Sequence, residues 1–173
     1  SASISSCAIF KGGHANKDIV LRYSFNEGQQ FTVDVKSDSQ IESEQMGQQI
    51  NVSSTSTAAL EFTAKGKTEN GASRLEFSYA KMTQSAESPM GGGDTDYSPI
   101  IGKTFTFNVT PSGETSDYTG FDKIPNITNA MGEKVTSEAY QQSIEQLFMK
   151  LPGDAVKKGF TWSEDFSSEL PYA

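Results

Sequence analysis

The sequence predicts a mainly β (α+β) fold: a long antiparallel meander coiled as a half-barrel, with a C-terminal helix packed on its concave face. Three observations carry that expectation. From Ile50 to Ala64 the even positions read Ile50, Val52, Ser54, Ser56, Ala58, Leu60, Phe62 and Ala64, while the odd ones are polar except Ala59. Such alternation marks a strand with one dry and one wet face, and at ~3.3 Å per residue it is too long to lie flat in a small sheet. Second, the run from Phe31 to about Glu44 matches it if Met46-Gly47 closes a two-residue hairpin. Phe31 then faces Phe62, Val33 faces Leu60, Val35 faces Ala58, Ser37 faces Ser56, Ser39 faces Ser54 and Ile41 faces Val52. Apolar meets apolar and serine meets serine, which a slip of two residues would spoil. Third, the period changes from two to 3.6 only late in the chain, beyond Gly120.

In chain order, Ile19 to Phe25 reads as a first strand, with Leu21, Tyr23 and Phe25 on one face and Asn26-Glu27-Gly28 as its turn. Asn70-Gly71 predicts a type I′ hairpin, since that turn needs φ > 0 twice, leading into Leu75, Phe77 and Tyr79 on the inner face. The phase then moves to Met82, Gln84 and Ala86, which places a β-bulge near Ala80-Lys81. Ser88-Pro89-Met90-Gly91-Gly92-Gly93-Asp94 breaks the pattern and reads as a mobile loop. Phe105, Phe107 and Val109 form a strand that Pro111-Ser112-Gly113 turns into a short one ending near Gly120. Phe121 to Met131 is weakly helical and interrupted by Pro125. A full helix follows, from Thr136 or Ser137 as N-cap to about Leu151, with Tyr140, Ile144, Leu147, Phe148 and Leu151 on one stripe. Leu151-Pro152-Gly153 stops it. Phe160, Trp162, Glu164 and Phe166 suggest one last strand.

The 173 residues bound a single domain large enough for a buried core. A net charge of −8 argues against a nucleic-acid partner, because phosphate neutralisation needs clustered Lys and Arg. One cysteine and one histidine exclude a disulfide framework and a Cys/His zinc cage. The histidine, His14, sits ahead of the first strand and no Gly-x-Ser-x-Gly is present, so a Ser-His-Asp site is not expected. No catalytic residue, cofactor or resident metal is expected. Asp94 and Asp96 in the Gly-rich stretch could bind calcium or simply belong to a solvated loop. The sequons at Asn51, Asn108 and Asn126 fit chance in a Ser/Thr-rich chain. Phe160 and Trp162 suit either a ligand platform or core packing.

At the N-terminus, Ile4-Ser5-Ser6-Cys7 resembles the bacterial lipobox, whose cysteine is lipidated and becomes the mature N-terminus, and a polar Gly-containing tether follows it. Residues 1–6 are then a signal-peptide remnant, 7–18 the lipidated N-terminus and tether, and 19–173 the half-barrel domain. Further short motifs are Tyr23-Ser24-Phe25, Met46-Gly47, Ser88-Pro89-Met90-Gly91, Ile101-Gly102-Lys103-Thr104-Phe105 and Val109-Thr110-Pro111-Ser112-Gly113. With the closing Leu151-Pro152, Val156, Gly159 and Trp162, their order resembles a functionally uncharacterised family of β-rich secreted lipoproteins of Bacteroidetes-type bacteria. That resemblance implies an incomplete domain, truncated at the C-terminus, and it supplies no catalytic or ligand residue. By fold analogy the architecture also resembles the LolA/LolB-like half-barrels, which clasp acyl chains under a helix.

A helix from 137 to 151 would span roughly 22 Å, under half the length of the paired strands. One helix cannot hide the whole dry face, so a missing C-terminal half or a ligand must cover the rest. Ser37, Ser39, Ser54 and Ser56 form a mid-strand band that admits close helix approach, the favoured role, or offers hydroxyls inside a cavity. With Leu60, Phe62, Phe77 and Tyr79 they make the candidate ligand-binding face. The expected function is that of a cell-envelope lipoprotein, anchored to the outer membrane through Cys7. It would bind a lipid or other apolar or amphipathic ligand without catalysis. The alternative is a structural or assembly component that docks a partner protein.

Overall fold

The computed structural model describes residues 18–45, 48–89, 91–130 and 132–163. Cys7, His14, the Met46-Gly47 turn, Glu164 and Phe166 lie outside the described residues. Six strands form one antiparallel sheet that does not close into a barrel: β1 (Gln30–Gln45), β2 (Gln48–Lys67), β3 (Ser73–Ser88), β4 (Gly91–Thr95), β5 (Thr104–Val109) and β6 (Thr115–Thr119). The order is β1-β2-β3-β5-β6, and β4 pairs with the far end of β3. A small hairpin, β7 (Ile127–Thr128) with β8 (Lys134–Val135), precedes the helix α1 (Ser137–Leu147).

The register of the long hairpin is the one expected. Phe31 pairs with Phe62, Ser39 with Ser54 and Gln45 with Gln48, without a break. On β3 the bulge falls where the phase shift put it: Leu60 pairs with Tyr79 but Ala59 with Lys81, so Ala80 is the extra residue. It turns Met82, Gln84 and Ala86 onto the dry face. The stripe of α1 is also as expected, with Tyr140, Ile144 and Phe148 buried and the Thr136 side chain capping the Ala139 N–H.

Several elements differ from expectation, each for a local reason. Ile19 to Phe25 is extended but joins no sheet; its backbone bonds go to two separate partners, Val156 and Pro111. Its alternation is nonetheless real, and Leu21, Tyr23 and Phe25 are half-buried. The Asn70-Gly71 hairpin has a three-residue loop instead of a type I′ turn. Thr68 N–H donates to Ala72 O, Gly71 N–H donates to Thr68 O, and only Gly71 is left-handed, at φ +80°. This is a type I turn closed by a left-handed glycine. The same bonding recurs from Thr110 to Glu114 and from Asn129 to Glu133, around Gly113 and Gly132.

The Gly-rich stretch is a strand and not a loop. Gly93 pairs with Ala86 and Gly92 with Glu87, and a Cβ at Gly92 would collide with the Ala86 carbonyl. Glycine permits that approach while erasing the side-chain period that would reveal a strand. Residues 121–130 hold one 3₁₀ turn and then the β7 strand instead of a weak helix. Helix α1 ends at Leu147, four residues early. Phe148 leaves helical geometry at φ −109°, ψ 73°, and Leu151 N–H is committed to Ser112 O in the β5–β6 turn. Over the described residues to 163, Phe160 and Trp162 are not in a strand. Their rings stack at 6.4 Å, and the indole N–H donates to Lys150 O.

Ala64 N–H donates to Gln29 O and Ala64 O accepts from Gly28 N–H, so Ala64, the register partner of Gln29, directs both backbone groups toward β1. Along an unbroken register every odd β1 residue is then in a hydrogen-bonded pair, and every even one is in the closer, non-bonded class. Thr55 Oγ1 accordingly reaches Asp38 Oδ1 at 3.0 Å. In a Cys7→Ala background, Asp38→Cys/Thr55→Cys is expected to oxidise to a disulfide faster than Ser39→Cys/Ser54→Cys. Equal rates in a thiol-titration time course would place the hydrogen bonds on the wrong pairs.

Candidate functional site: the concave face

The dry face divides into two halves. In the inner half, Leu60, Phe62, Phe77 and Tyr79 are each only 1–2 % exposed. Phe31, Phe62, Phe77 and Phe105 are direct partners across successive strands, with centroids 4.9, 5.4 and 5.3 Å apart. Phe25 extends this row at one end, 5.3 Å from Phe31, and Phe121 at the other, 4.9 Å from Phe105. Phe148 seats edge-on against it, 6.0 Å from Phe62 and 5.4 Å from Phe107. Four of the eight candidate ligand-binding residues are therefore packed within the protein's own core.

The serine band is the outer half, and the helix does not cover it. Ser37 and Ser39 are exposed, Ser54 and Ser56 half-buried, and Ile41 is 43 % exposed. The expectation of close helix approach to these serines is thus corrected: α1 sits over the aromatic rows, where Tyr140, Ile144 and Phe148 find apolar partners. Val35, Ala58 and Met82, half-buried, form the rim between the halves.

A polar cluster that the sequence did not reveal lies at this boundary. Gln84 Oε1 accepts from Tyr97 OH at 2.8 Å and from Thr95 Oγ1 at 3.3 Å, and Thr95 Oγ1 accepts from Ala130 N–H at 3.0 Å. Beside it the hydroxyls of Tyr79 and Tyr140 are buried without a hydrogen-bond partner. Burial pushes the Tyr79 phenol up to about 12 and raises those of Tyr97 and Tyr140 as well. Only Gln84 was visible by periodicity; Thr95 and Tyr97 follow the glycines that mask it. The cluster is neutral at physiological pH, so it offers hydrogen bonds and no acid or base poised for proton transfer.

Elsewhere, Asp94 is exposed on β4, and the Asp96 carboxylate accepts the Ser98 N–H at 2.9 Å; hydrogen bonding from the Ser98 hydroxyl, and then from that N–H, lowers its pKa. Among the described residues no three His, Cys, Asp or Glu side chains come together as a metal site. Asn108 is buried and donates to Asp117, whereas Asn51 and Asn126 are exposed. An open groove of about 310 Å³ at the bulge is lined by Asp34, Val35, Lys36, Thr57, Ala58, Ala59 and Lys81. No helix of the described residues is long and apolar enough to cross a membrane.

Residues 65–173 match a family described as a family of unknown function (DUF6263), and the chain belongs to it. The match runs from the end of β2 through the helix and beyond. No curated protein and no solved structure matches the chain.

The phenols give the fold an alkaline limit. Their folded values lie above the unfolded value of about 10, so their contribution is complete below pH 10 and is lost as the pH rises toward 12. Urea midpoints measured at pH 8 and pH 11 are expected to fall with pH. Tyr140→Phe removes an unpartnered hydroxyl and is expected to be neutral or stabilising by up to about 1 kcal/mol at pH 8, whereas Tyr97→Phe, which breaks a bond to Gln84, costs about 1 kcal/mol. A large loss in Tyr140→Phe would mean that its hydroxyl has a partner.

Proposed function

We propose that this protein is a non-catalytic cell-envelope lipoprotein that binds an amphipathic ligand on the outer half of its concave sheet. The observation that carries this reading is the mismatch between sheet and helix: the dry face continues past the helix, and among the described residues Ser37, Ser39 and Ile41 on that continuation are exposed. There the hydroxyls of Ser37, Ser39, Ser54 and Ser56 lie between the aliphatic rim of Val35, Ala58 and Met82 and the outer pair Ile41 and Val52. Hydroxyls beside short aliphatic side chains suit a ligand with a polar head and an apolar chain. The aromatic half is already filled, so the ligand belongs on the outer face and not beneath the helix.

Anchoring rests on Ile4-Ser5-Ser6-Cys7. Two or three acyl chains at ~0.8 kcal/mol per buried CH₂ would hold the protein on a membrane stably. A second reading, docking of a protein partner, is favoured by the edge of β1, which ends the sheet order and has no strand beside it among the described residues.

Two measurements test the proposal. Expressed behind a complete signal peptide, the protein is expected in the membrane fraction and Cys7→Ala in the soluble periplasm; a soluble wild type would end the anchoring claim. With a dansylated fatty acid as probe, Ser54→Trp is expected to weaken binding by about tenfold, roughly 1.4 kcal/mol. Thr55→Trp, on the opposite face, should leave it unchanged, with urea midpoints confirming that both variants fold. No binding by the wild type, or equal effects of the two substitutions, would overturn the ligand reading.

A further inference from the structure

We infer that the free edge of β1 is a self-complementary surface on which a second copy of this chain pairs, antiparallel, through a twofold axis at Ser37. This does not depend on the ligand reading and concerns the opposite resource of the same strand: its backbone.

β1 is sixteen residues long, and among the described residues no strand pairs with its outer side. Because odd residues bond to β2, the N–H and C=O groups of the even ones, from Gln30 to Glu44, point to that open side. The even side chains are Gln30, Thr32, Asp34, Lys36, Asp38, Gln40, Glu42 and Glu44, all exposed. Unpaired edges of this length are templates for strand addition, and charges on them decide which additions are allowed.

Only even residues can form the new hydrogen-bonded pairs, so an isologous pairing must set even against even. Four such registers keep at least thirteen of the sixteen residues paired. One centred on Lys36 opposes it to itself and Asp34 to Asp38. A centre at Asp38 opposes Asp38 to itself and Asp34 to Glu42. The register centred between Asp38 and Gln40, at Ser39, opposes Asp34 to Glu44. The fourth, centred on Ser37, opposes no like charges: Lys36 meets Asp38 twice, Asp34 meets Gln40, Thr32 meets Glu42 and Gln30 meets Glu44. On the dry face it also sets half-buried Val33 against Ile41, the large apolar residue left most exposed on β1. Lys36 and Asp38 already approach each other within one chain, at 3.0 Å with both side chains well exposed. In the pair of copies each would gain a cross-strand partner without having to be desolvated alone.

The sharing of one register by the charges and the aliphatic residues is the core of the inference. A strand whose charges served only to keep other strands away would oppose like charges in every long register, as happens in the other three. The serine bands of the two copies would then meet at the axis, making one continuous hydroxyl-lined floor across both sheets.

The test uses the full chain with Cys7→Ala, which removes the only native thiol. Sedimentation is expected to show a dimer. Lys36→Glu places like charges opposite Asp38 at both symmetry-related sites and is expected to weaken the dimer by about tenfold. The swap Lys36→Asp/Asp38→Lys should restore it. Gln40→Pro removes an N–H only from the open side, so it should abolish the dimer while leaving the β1–β2 ladder and the urea midpoint in place. Ser37→Cys should oxidise to a covalent dimer, whereas Ser39→Cys, whose symmetry mate lies roughly 13 Å away along the strand, should not. A monomer throughout, a dimer indifferent to Gln40→Pro, or preferential crosslinking at Ser39→Cys would each overturn the proposal.

Discussion

The row of phenylalanines across the sheet is the constraint on which the rest of the structure depends. Phe31, Phe62, Phe77 and Phe105 stand directly opposite one another on four consecutive strands, and Phe25 and Phe121 cap the row from outside the ladder. Each ring pair contributes about 0.5–1.5 kcal/mol beyond its burial. The row also fixes register: a slip of one residue on any strand would carry its phenylalanine to the wet face. It then determines where the helix can sit. Phe148 needs aromatic edges and faces to pack on, and it finds them at Phe62 and Phe107, so α1 is drawn to this part of the sheet and away from the serines.

The Ala80 bulge separates what the row organises from what lies beyond it. On the inner side, Leu75, Phe77 and Tyr79 alternate into the core; on the outer side, Met82, Gln84 and Ala86 do so in the opposite phase. Without the extra residue the outer stretch would present Lys81, Thr83 and Ser85 to the dry face. The bulge also adds local twist and bend. It coincides with the change of partner along β3, from β5 for residues Ser73 to Ser78 to β4 for Gln84 to Ser88. One strand thus serves two neighbours, with the irregularity between them.

What the sequence disclosed follows the reach of its signals. The long hairpin was legible to the last pair because each residue had a partner of matching character to check it against, and the bulge because a phase shift is visible in such a pattern. Turn geometry was less legible: Asn70-Gly71 marks a hairpin, but whether one or both residues are left-handed depends on Thr68 and Ala72, which close the loop from outside the dipeptide. β4 was hidden because glycine carries no period. For the candidate site, the candidate residues did share one face, yet the sequence could not say which half of that face the helix would choose. The Gln84–Tyr97–Thr95 cluster joins β3 to β4 and the segment after it, and only the glycine strand folding back on β3 brings them together.

The outer arm therefore has a stability of a different kind from the inner sheet. An isolated hairpin is marginal in water, and independent stability needs three or more strands with a hydrophobic face or packing against a helix. Beyond the rim of Val35, Ala58 and Met82, the dry face is mostly serine and Gln84, with Ile41, Ile50, Val52 and Ala86 as its apolar side chains. Cross-strand hydroxyl contacts remain, such as Thr57 with Thr83 at 2.6 Å and Thr55 with Asp38, each worth no more than about 1 kcal/mol. The arm holds its shape because its strands are continuous with those that the phenylalanines pin, so register imposed at Phe62 propagates outward along the ladder. Local opening should be easiest at the far end and hardest at the row. A structure built this way has an ordered base and a long, weakly supported extension whose faces and edge carry groups that its own core does not use. Such an extension gains most from whatever binds it, because each new contact also suppresses the opening to which it is prone.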